Sequence, residues 1–243
     1  MTPRQAKLLA AIVREYSNNA EPIGSEEINQ KYNFGVSSAT IRNEMMALEK
    51  MGYIEQPHTS AGRIPTDLGY RYFINELMKH FEISIKEQKM LRSQLVKFQL
   101  QTQEIGRNIA KLLAEKSDQA AFALLPEETS SAGLSNIFNN PNLDKKEIIE
   151  IADFFDNLDM FSEKIRVSDE PGALIGQEHH LAPLQNYSLI VSQVLLPSGK
   201  KGVIGIIGHK SMRYDKNLSL VEYIAKLLSS GTLMILLILL HTK

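Results

Sequence analysis

Residues 1–72 alternate short helical patterns with strong turn signals, and this alternation constrains the fold more than any other feature of the chain. Apolar residues recur at helical spacing over 8–16. Ser25 and Ser37 can cap two further helices, each behind a glycine-containing turn, and Gly52 is a left-handed stop signal. A helix, a tight turn and a second capped helix predict a helix-turn-helix.

The residues after the third helix predict a wing. The segment 53–56 is a strand candidate, 57–62 is rich in turn formers, and 63–65 can return as a second strand. Thr66 or Asp67 then caps the next helix. The first 72 residues are therefore predicted to form a winged helix-turn-helix.

The third helix has one face suited to the core and one suited to DNA. Ile41, Met45 and Leu48 fall together and should pack inward. On the other side Asn can match adenine and Arg can match guanine in a major groove, while hydroxyls at the helix start suit phosphate. The alternative is a capped surface helix, because these residue types are common on any solvated face. The residues predicted to contact DNA here are Ser37, Ser38, Thr40, Arg42 and Asn43.

The wing tip supplies a second predicted contact. An arginine on a flexible tip around Gly62 can enter a minor groove or touch a phosphate. The alternative is a surface arginine held in a salt bridge. The residues predicted for the wing contact are His58, Thr59, Ser60 and Arg63.

Three ordered motifs lie in this part of the chain. They are Glu-Pro-Ile-Gly-Ser at 21–25, Gly-Val-Ser-Ser-Ala-Thr-Ile-Arg-Asn-Glu-Met at 35–45, and Gln-Pro-His-Thr-Ser-Ala-Gly-Arg-Ile-Pro-Thr-Asp at 56–67. They closely resemble the heat-inducible transcription repressor family HrcA of bacteria. Looser similarity continues at 132–138 and 187–191 in the C-terminal half.

The resemblance implies a dimeric repressor of chaperone operons. Such a repressor binds double-stranded DNA at an inverted-repeat operator and is modulated by a chaperonin. Its C-terminal part is GAF-like and carries an inserted dimerisation domain. Here the chain passes almost directly from a helix near Lys116 to an apolar stretch at 121–125. It is therefore predicted to be a shortened member that lacks the insert.

The segment 73–116 predicts one long linking helix, because it has no proline and only one glycine, Gly106. Its apolar residues alternate by four and three, the seam period of a coiled coil. An inverted repeat needs two reading heads at fixed spacing, so the seam is predicted to pack against a second copy. The alternative is that the helix packs on its own C-terminal domain. The predicted dimerisation residues are Leu91, Leu95, Phe98, Ile105, Ile109 and Leu112.

Residues 117–243 predict a small α/β domain that resembles a reduced GAF-like domain. Strand patterns at 187–196 and 203–208 flank a turn-rich segment, which predicts a hairpin. The whole chain is thus predicted to be α+β: a winged helix-turn-helix, a long linking helix and this C-terminal regulatory domain. The residues that predict a final helix are Val221, Ile224, Leu227 and Leu228.

Composition and motif spacing argue against catalysis. The chain has no Cys, which excludes a disulfide framework, a zinc-thiolate site and a Cys nucleophile. Glu178-His179-His180 lacks the spread of a metal site. The glycines of 202–208 lack the P-loop lysine and the dinucleotide-binding spacing. No catalytic residue, metal or cofactor is predicted, and the chain is not expected to be an enzyme.

The net charge of the chain does not indicate DNA binding, so a DNA contact must come from a local site, and the hydropathy argues against a membrane span. Lys and Arg total 27 against 28 Asp and Glu, so whole-domain charge does not indicate nucleic acid. The apolar run at 233–240 is far shorter than the ~20 residues that cross a bilayer, and we expect a cytoplasmic protein without membrane contact. The sequence favours a winged-helix repressor. The alternative is a winged-helix regulator whose C-terminal domain senses a small ligand or a protein partner unrelated to heat shock.

Overall fold

The computed structural model describes residues 1–58, 61–101, 104–139, 143–162, 170–181, 184–196 and 199–230. Within them the chain forms two compact units. The first combines Met1–His80 with Lys210–Asp215, and the second combines Phe81–His209 with Lys216–Lys243. The architecture is α+β, as predicted.

Three helices open the first unit. They are α1 (Pro3–Asn19), α2 (Ser25–Tyr32) and α3 (Ser38–Lys50). Thr2 and Gln5 form a reciprocal capping box at the start of α1. The helix α2 begins one residue earlier than predicted, since it starts at Ser25 itself and has no side-chain cap.

One face of each helix forms a shared core. The predicted inward face of α3 is confirmed, since its three apolar residues are at most 4% exposed. Burial of such side chains stabilises the fold by about 1.5–3 kcal/mol each. The core residues of the three helices are Leu8, Leu9, Ile12, Val13, Ile28, Ile41, Met45 and Leu48.

Two short antiparallel strands form the wing. They are β1 (Ile54–Glu55) and β2 (Ile64–Pro65). Beside them, the backbones of Ile23 and Arg63 exchange hydrogen bonds of 2.9 and 3.1 Å. This bridge ties the wing to the turn between α1 and α2.

The helix after the wing starts at a hydroxyl that serves two partners. Thr66 Oγ1 accepts the N–H of Gly69 (3.1 Å) and donates to the carbonyl of Gly52 (2.6 Å). The helix α4 (Asp67–Tyr72) follows and continues as a π-helical segment, Phe73–Leu77. Of the two predicted capping residues, Thr66 is the one used.

The segment predicted as one long helix contains two further helices instead, α5 (Ile85–Gln101) and α6 (Ile105–Ser117). A carboxylate distant in sequence starts α6. Glu128 accepts the backbone N–H groups of Gly106 and Arg107, each at 2.8 Å. These are donors that a helix start leaves unsatisfied, and the negative charge suits that end of the helix dipole.

An antiparallel five-stranded sheet organises the second unit, in the order β4-β3-β7-β6-β5. The predicted hairpin is the β6–β7 pair. Both faces of β3, β6 and β7 are buried, so the sheet is a central layer. The strands are β3 (Ala120–Leu125), β4 (Glu128–Ala132), β5 (Gly172–Ile175), β6 (Tyr187–Leu195) and β7 (Lys201–His209).

Helices cover this sheet. On one face Phe122 packs edge-to-face against Phe154, with ring centroids 6.4 Å apart, within one apolar cluster. The four apolar residues that predicted the final helix are all buried along α10. The remaining helices are α7 (Leu134–Phe138), α8 (Lys145–Asp156), α9 (Leu158–Ser162) and α10 (Tyr214–Ser229).

Most of the predicted dimer seam packs within its own chain. Leu91, Leu95, Ile109 and Leu112 are at most 2% exposed, and Ile105 is half-buried. The side chain of Phe98 lies outside the described residues. The hydroxyl of Tyr223 on α10 donates to the carbonyl of Gln88 on α5 at 3.2 Å. The four buried side chains therefore pack within the chain, in line with the alternative of packing on the C-terminal domain.

Gly62 generates a prediction about the wing. A Cβ at this position would overlap the backbone of Ile23, the residue that the wing pairs with. Gly62→Ala should therefore lower the free energy of unfolding by about 1–3 kcal/mol, the usual cost of overpacking. Urea-induced unfolding measures the loss.

The matched control is Gly24→Ala, because nothing lies within 4 Å of a Cβ there. That change should cost at most about 1 kcal/mol, as a less favourable residue before α2. Equal losses in the two variants would contradict the close approach of Gly62 and Ile23.

Candidate nucleic-acid interface

The start of α3 presents hydroxyl groups beside free backbone donors. Ser37 Oγ accepts the N–H of Thr40 (3.2 Å) and lies 3.0 Å from Thr40 Oγ1. Ser37 is exposed, while Ser38 and Thr40 are half-buried. The positive end of the helix dipole faces solvent here, so this end of α3 suits a phosphate group.

The outer face of α3 carries two polar side chains that are free to bind. Arg42 and Asn43 are exposed, and neither forms a hydrogen bond or ion pair with any residue that the structure describes. Ala39, Met46 and Lys50 are exposed along the same side. This face combines a bidentate amide, a guanidinium and small or apolar groups, which are the chemistries that read base edges.

An ion pair with α1 neutralises one acidic residue of α3. Glu44 accepts hydrogen bonds from Arg4 Nη2 (2.6 Å), Arg4 Nε (2.9 Å) and Gln5 Nε2 (2.8 Å). The hydrogen bonding from Arg4 is the largest cause that holds the pKa of Glu44 below its ordinary value; burial opposes it, and the hydrogen bond from Gln5 adds a smaller lowering effect. Glu44 therefore stays ionised and paired.

The second acidic residue of α3 is paired with the wing. Arg63 donates to Glu49 Oε2 from Nη2 (3.0 Å) and Nε (3.2 Å). The side chain of Arg63 is 17% exposed. Arg63, predicted as a wing contact, is thus held in a salt bridge, the alternative stated for it. In this position it fixes the wing against α3.

The wing tip is only partly described. His58 is exposed, and its carbonyl accepts the N–H of Ala61 at 2.9 Å. Gln56 Nε2 donates to the carbonyl of Ala61 at 2.9 Å, which braces the tip. Thr59 and Ser60 lie outside the described residues.

The pairing leaves α3 with a positive outer face. Its two glutamates, Glu44 and Glu49, are each paired with an arginine, while Arg42 and Lys50 have no acidic partner among the described residues. Sequence reasoning predicted a role for Arg42 and Asn43 but gave no indication of Arg4 and Gln5. Their contact with Glu44 spans about forty residues and leaves no local pattern.

The described ranges contain no group of three His, Cys, Asp or Glu that could hold a metal ion. The histidine at 179, which lies in the Glu-His-His segment considered above for a metal site, instead makes hydrogen bonds within the fold. His179 is buried, its Nδ1 accepts the N–H of Leu181, and its Nε2 lies 3.1 Å and 3.2 Å from the carbonyls of Leu184 and Tyr187. It braces the loop before β6.

No helix in the described part of the chain is long and apolar enough to span a membrane.

Two family models match this chain. The model described as a winged helix-turn-helix transcription repressor, HrcA DNA-binding, matches residues 1–79. The model of the HrcA protein C terminal domain matches residues 68–218. The chain belongs to the HrcA family. This is a family of transcription repressors, not of enzymes.

Curated HrcA relatives match over about half of this chain. The heat-inducible transcription repressor HrcA of Pelotomaculum thermopropionicum is 48% identical over 131 residues, which are 53% of this chain and 37% of the relative. That of Natranaerobius thermophilus is 46% identical over 130 residues, 53% of this chain and 38% of the relative. The matches thus span well under two thirds of these repressors.

A solved structure described as a hypothetical protein at 2.2 Å resolution has the same fold. It superposes with a TM-score of 0.73 and 21% sequence identity, over 96% of this chain and 98% of that chain. This likeness shows the fold alone.

The pairing of Glu44 generates a prediction about pH. Because its pKa is lowered in the fold, the stabilisation from this pair is present above the ordinary carboxyl range and is lost as pH falls through the lowered pKa. Arg4→Met should move the pKa of Glu44 back toward the ordinary value. Titration of the side-chain carboxyl signal by NMR measures the shift.

Lys7→Met is the matched control. Lys7 is exposed on the same helix and has no acidic partner in the described part of the chain. It should leave the Glu44 titration unchanged. The pair would be refuted by an Arg4→Met protein whose Glu44 titrates as in the parent.

Proposed function

We propose that this HrcA-family chain is a transcription repressor that binds double-stranded DNA, with α3 in the major groove and the wing beside it. One observation carries the proposal. Arg42 and Asn43 are exposed and without partners in the described chain, while both nearby glutamates of α3 are neutralised. A face that keeps its base-reading groups free and its acids paired suits a polyanion.

The same proposal extends to the operator and its regulation. The curated relatives are named heat-inducible transcription repressors, which supports a repressor that responds to heat. We propose with it that the chain controls heat-shock operons in the cytoplasm. An inverted-repeat operator requires a symmetric dimer. Because Leu91, Leu95, Ile109 and Leu112 are buried within the chain, we propose that the dimer forms through another surface. Modulation by a chaperonin is proposed from family resemblance alone.

Removing the two free side chains tests the proposal. Arg42→Ala with Asn43→Ala should weaken binding to an inverted-repeat operator about a hundredfold or more, since each bidentate base contact contributes about 1–3 kcal/mol. Binding to a scrambled duplex should change far less. Electrophoretic shift or fluorescence anisotropy across a salt series measures both.

The control places the same two substitutions on another helix. Arg107→Ala with Asn108→Ala on α6 should leave operator affinity unchanged. A duplex with one half-site should bind more weakly than the full repeat if two copies bind together. The assignment of α3 as the helix that contacts DNA would be wrong if the Arg42→Ala, Asn43→Ala variant bound the operator as tightly as the parent.

Met46 generates a prediction about base specificity. It is 42% exposed on the outer face of α3, one turn beyond Asn43, where an apolar group can contact a thymine methyl. If Met46 contacts the methyl group of one thymine in the operator, replacing that thymine by deoxyuridine should weaken parent binding about fourfold, the contribution of one buried methyl group.

A thymine-by-thymine scan of the operator identifies the position. Met46→Ala should abolish the difference between thymine and deoxyuridine there while leaving other positions sensitive as before. If no substitution affects the parent and the variant differently, Met46 does not read a methyl group.

A further inference from the structure

A cleft of 330 Å³ lies in the first unit, away from the outer face of α3. Its floor is apolar and aromatic. Val13, Phe73 and Tyr214, at most 6% exposed, belong to that floor. The volume is at the lower end of the range for small-molecule sites, which are usually apolar with a few polar groups at the edge.

The rim of this cleft carries excess positive charge. Arg14, Lys79 and Arg213 line it and are exposed. Asp215 is the one acidic residue of the lining, and Arg213 binds it at 3.0 Å. Arg14 and Lys79 form no ion pair with any described residue. Two cations of the rim are thus not neutralised.

One of these cations is already oriented toward the floor. The guanidinium of Arg14 lies 5.8 Å from the centroid of the Phe73 ring, in a cation–π contact. This contact holds the planar group at the mouth without using its hydrogen-bond donors. Ser17 and Asn18, one turn further along α1, add short polar groups to the same wall.

We propose that the cleft binds a small organic anion with a flat apolar body. The body would lie on the aromatic floor, and the anionic group would contact Arg14 and Lys79. A bare inorganic anion would leave the floor uncovered, whereas a neutral aromatic would leave both cations unpaired. This site does not depend on the proposed DNA contact, since no residue of α3 lines it.

The test compares two fluorescent probes on the full chain. One is 1-anilinonaphthalene-8-sulfonate, an aromatic anion, and the other is N-phenyl-1-naphthylamine, the same aromatic body without the sulfonate. The parent should bind the anion saturably at one site and more tightly than the neutral probe. Lys79→Met and Arg14→Met should each weaken the anion about tenfold, the worth of a charge-assisted hydrogen bond, and leave the neutral probe unaffected.

Two further variants separate binding from folding. Arg14→Lys keeps the charge and should retain most of the affinity. Lys7→Met removes a cation of α1 outside the cleft and should change nothing; thermal unfolding confirms that each variant folds. The site is ruled out if the parent fails to saturate, if the two probes bind equally, or if the Arg14→Met, Lys79→Met double variant binds the anion like the parent.

Discussion

The carboxylate of Glu44 ties α3 to α1, in addition to the apolar core that the two helices share. It accepts three hydrogen bonds from the first turn of α1, two from Arg4 and one from Gln5. The amide of Gln5 has a second role, since its oxygen accepts the backbone N–H of Thr2 and completes the cap of α1. The start of α1 and the middle of α3 are therefore joined by one polar cluster. The free side chains of α3 depend on that anchor for their position.

A second salt bridge joins α3 to the wing. Glu49 binds Arg63, and Arg63 in turn pairs its backbone with Ile23. Through this chain of contacts, the wing, α3 and the turn before α2 hold one another. The outer face of α3 is electropositive because its acidic residues are paired inward, although basic and acidic residues are nearly equal in number in the first unit.

Local patterns in the sequence predicted much of this fold. Capping residues, the inward stripe of Ile41, Met45 and Leu48, and the turn-rich tip between two short strands act within a few residues, so they can be read directly. The start of α6 at Ile105 could not be predicted in this way. It depends on Glu128, which lies more than twenty residues from the helix start that it satisfies.

The seam residues show a second limit of sequence reasoning. Their period predicted a buried face, and Leu91, Leu95 and Ile109 are indeed buried. Periodicity shows which side of a helix avoids water but not which surface covers it. The same holds for Arg63, whose residue type fitted either a phosphate or a carboxylate; only the position of Glu49 in space distinguishes the two.

The bridge between α1 and α3 also limits how this sequence can diverge. A change at Arg4 alone leaves the half-buried carboxylate of Glu44 without its ion-pair partner. A change at Glu44 alone leaves the guanidinium of Arg4 and the amide of Gln5 without their acceptor. Neutral drift at either position therefore requires a compensating exchange at the other. Homologues should show the two sites varying as a pair, whereas Arg42 and Asn43 bind nothing within the described chain and carry no such constraint from the fold.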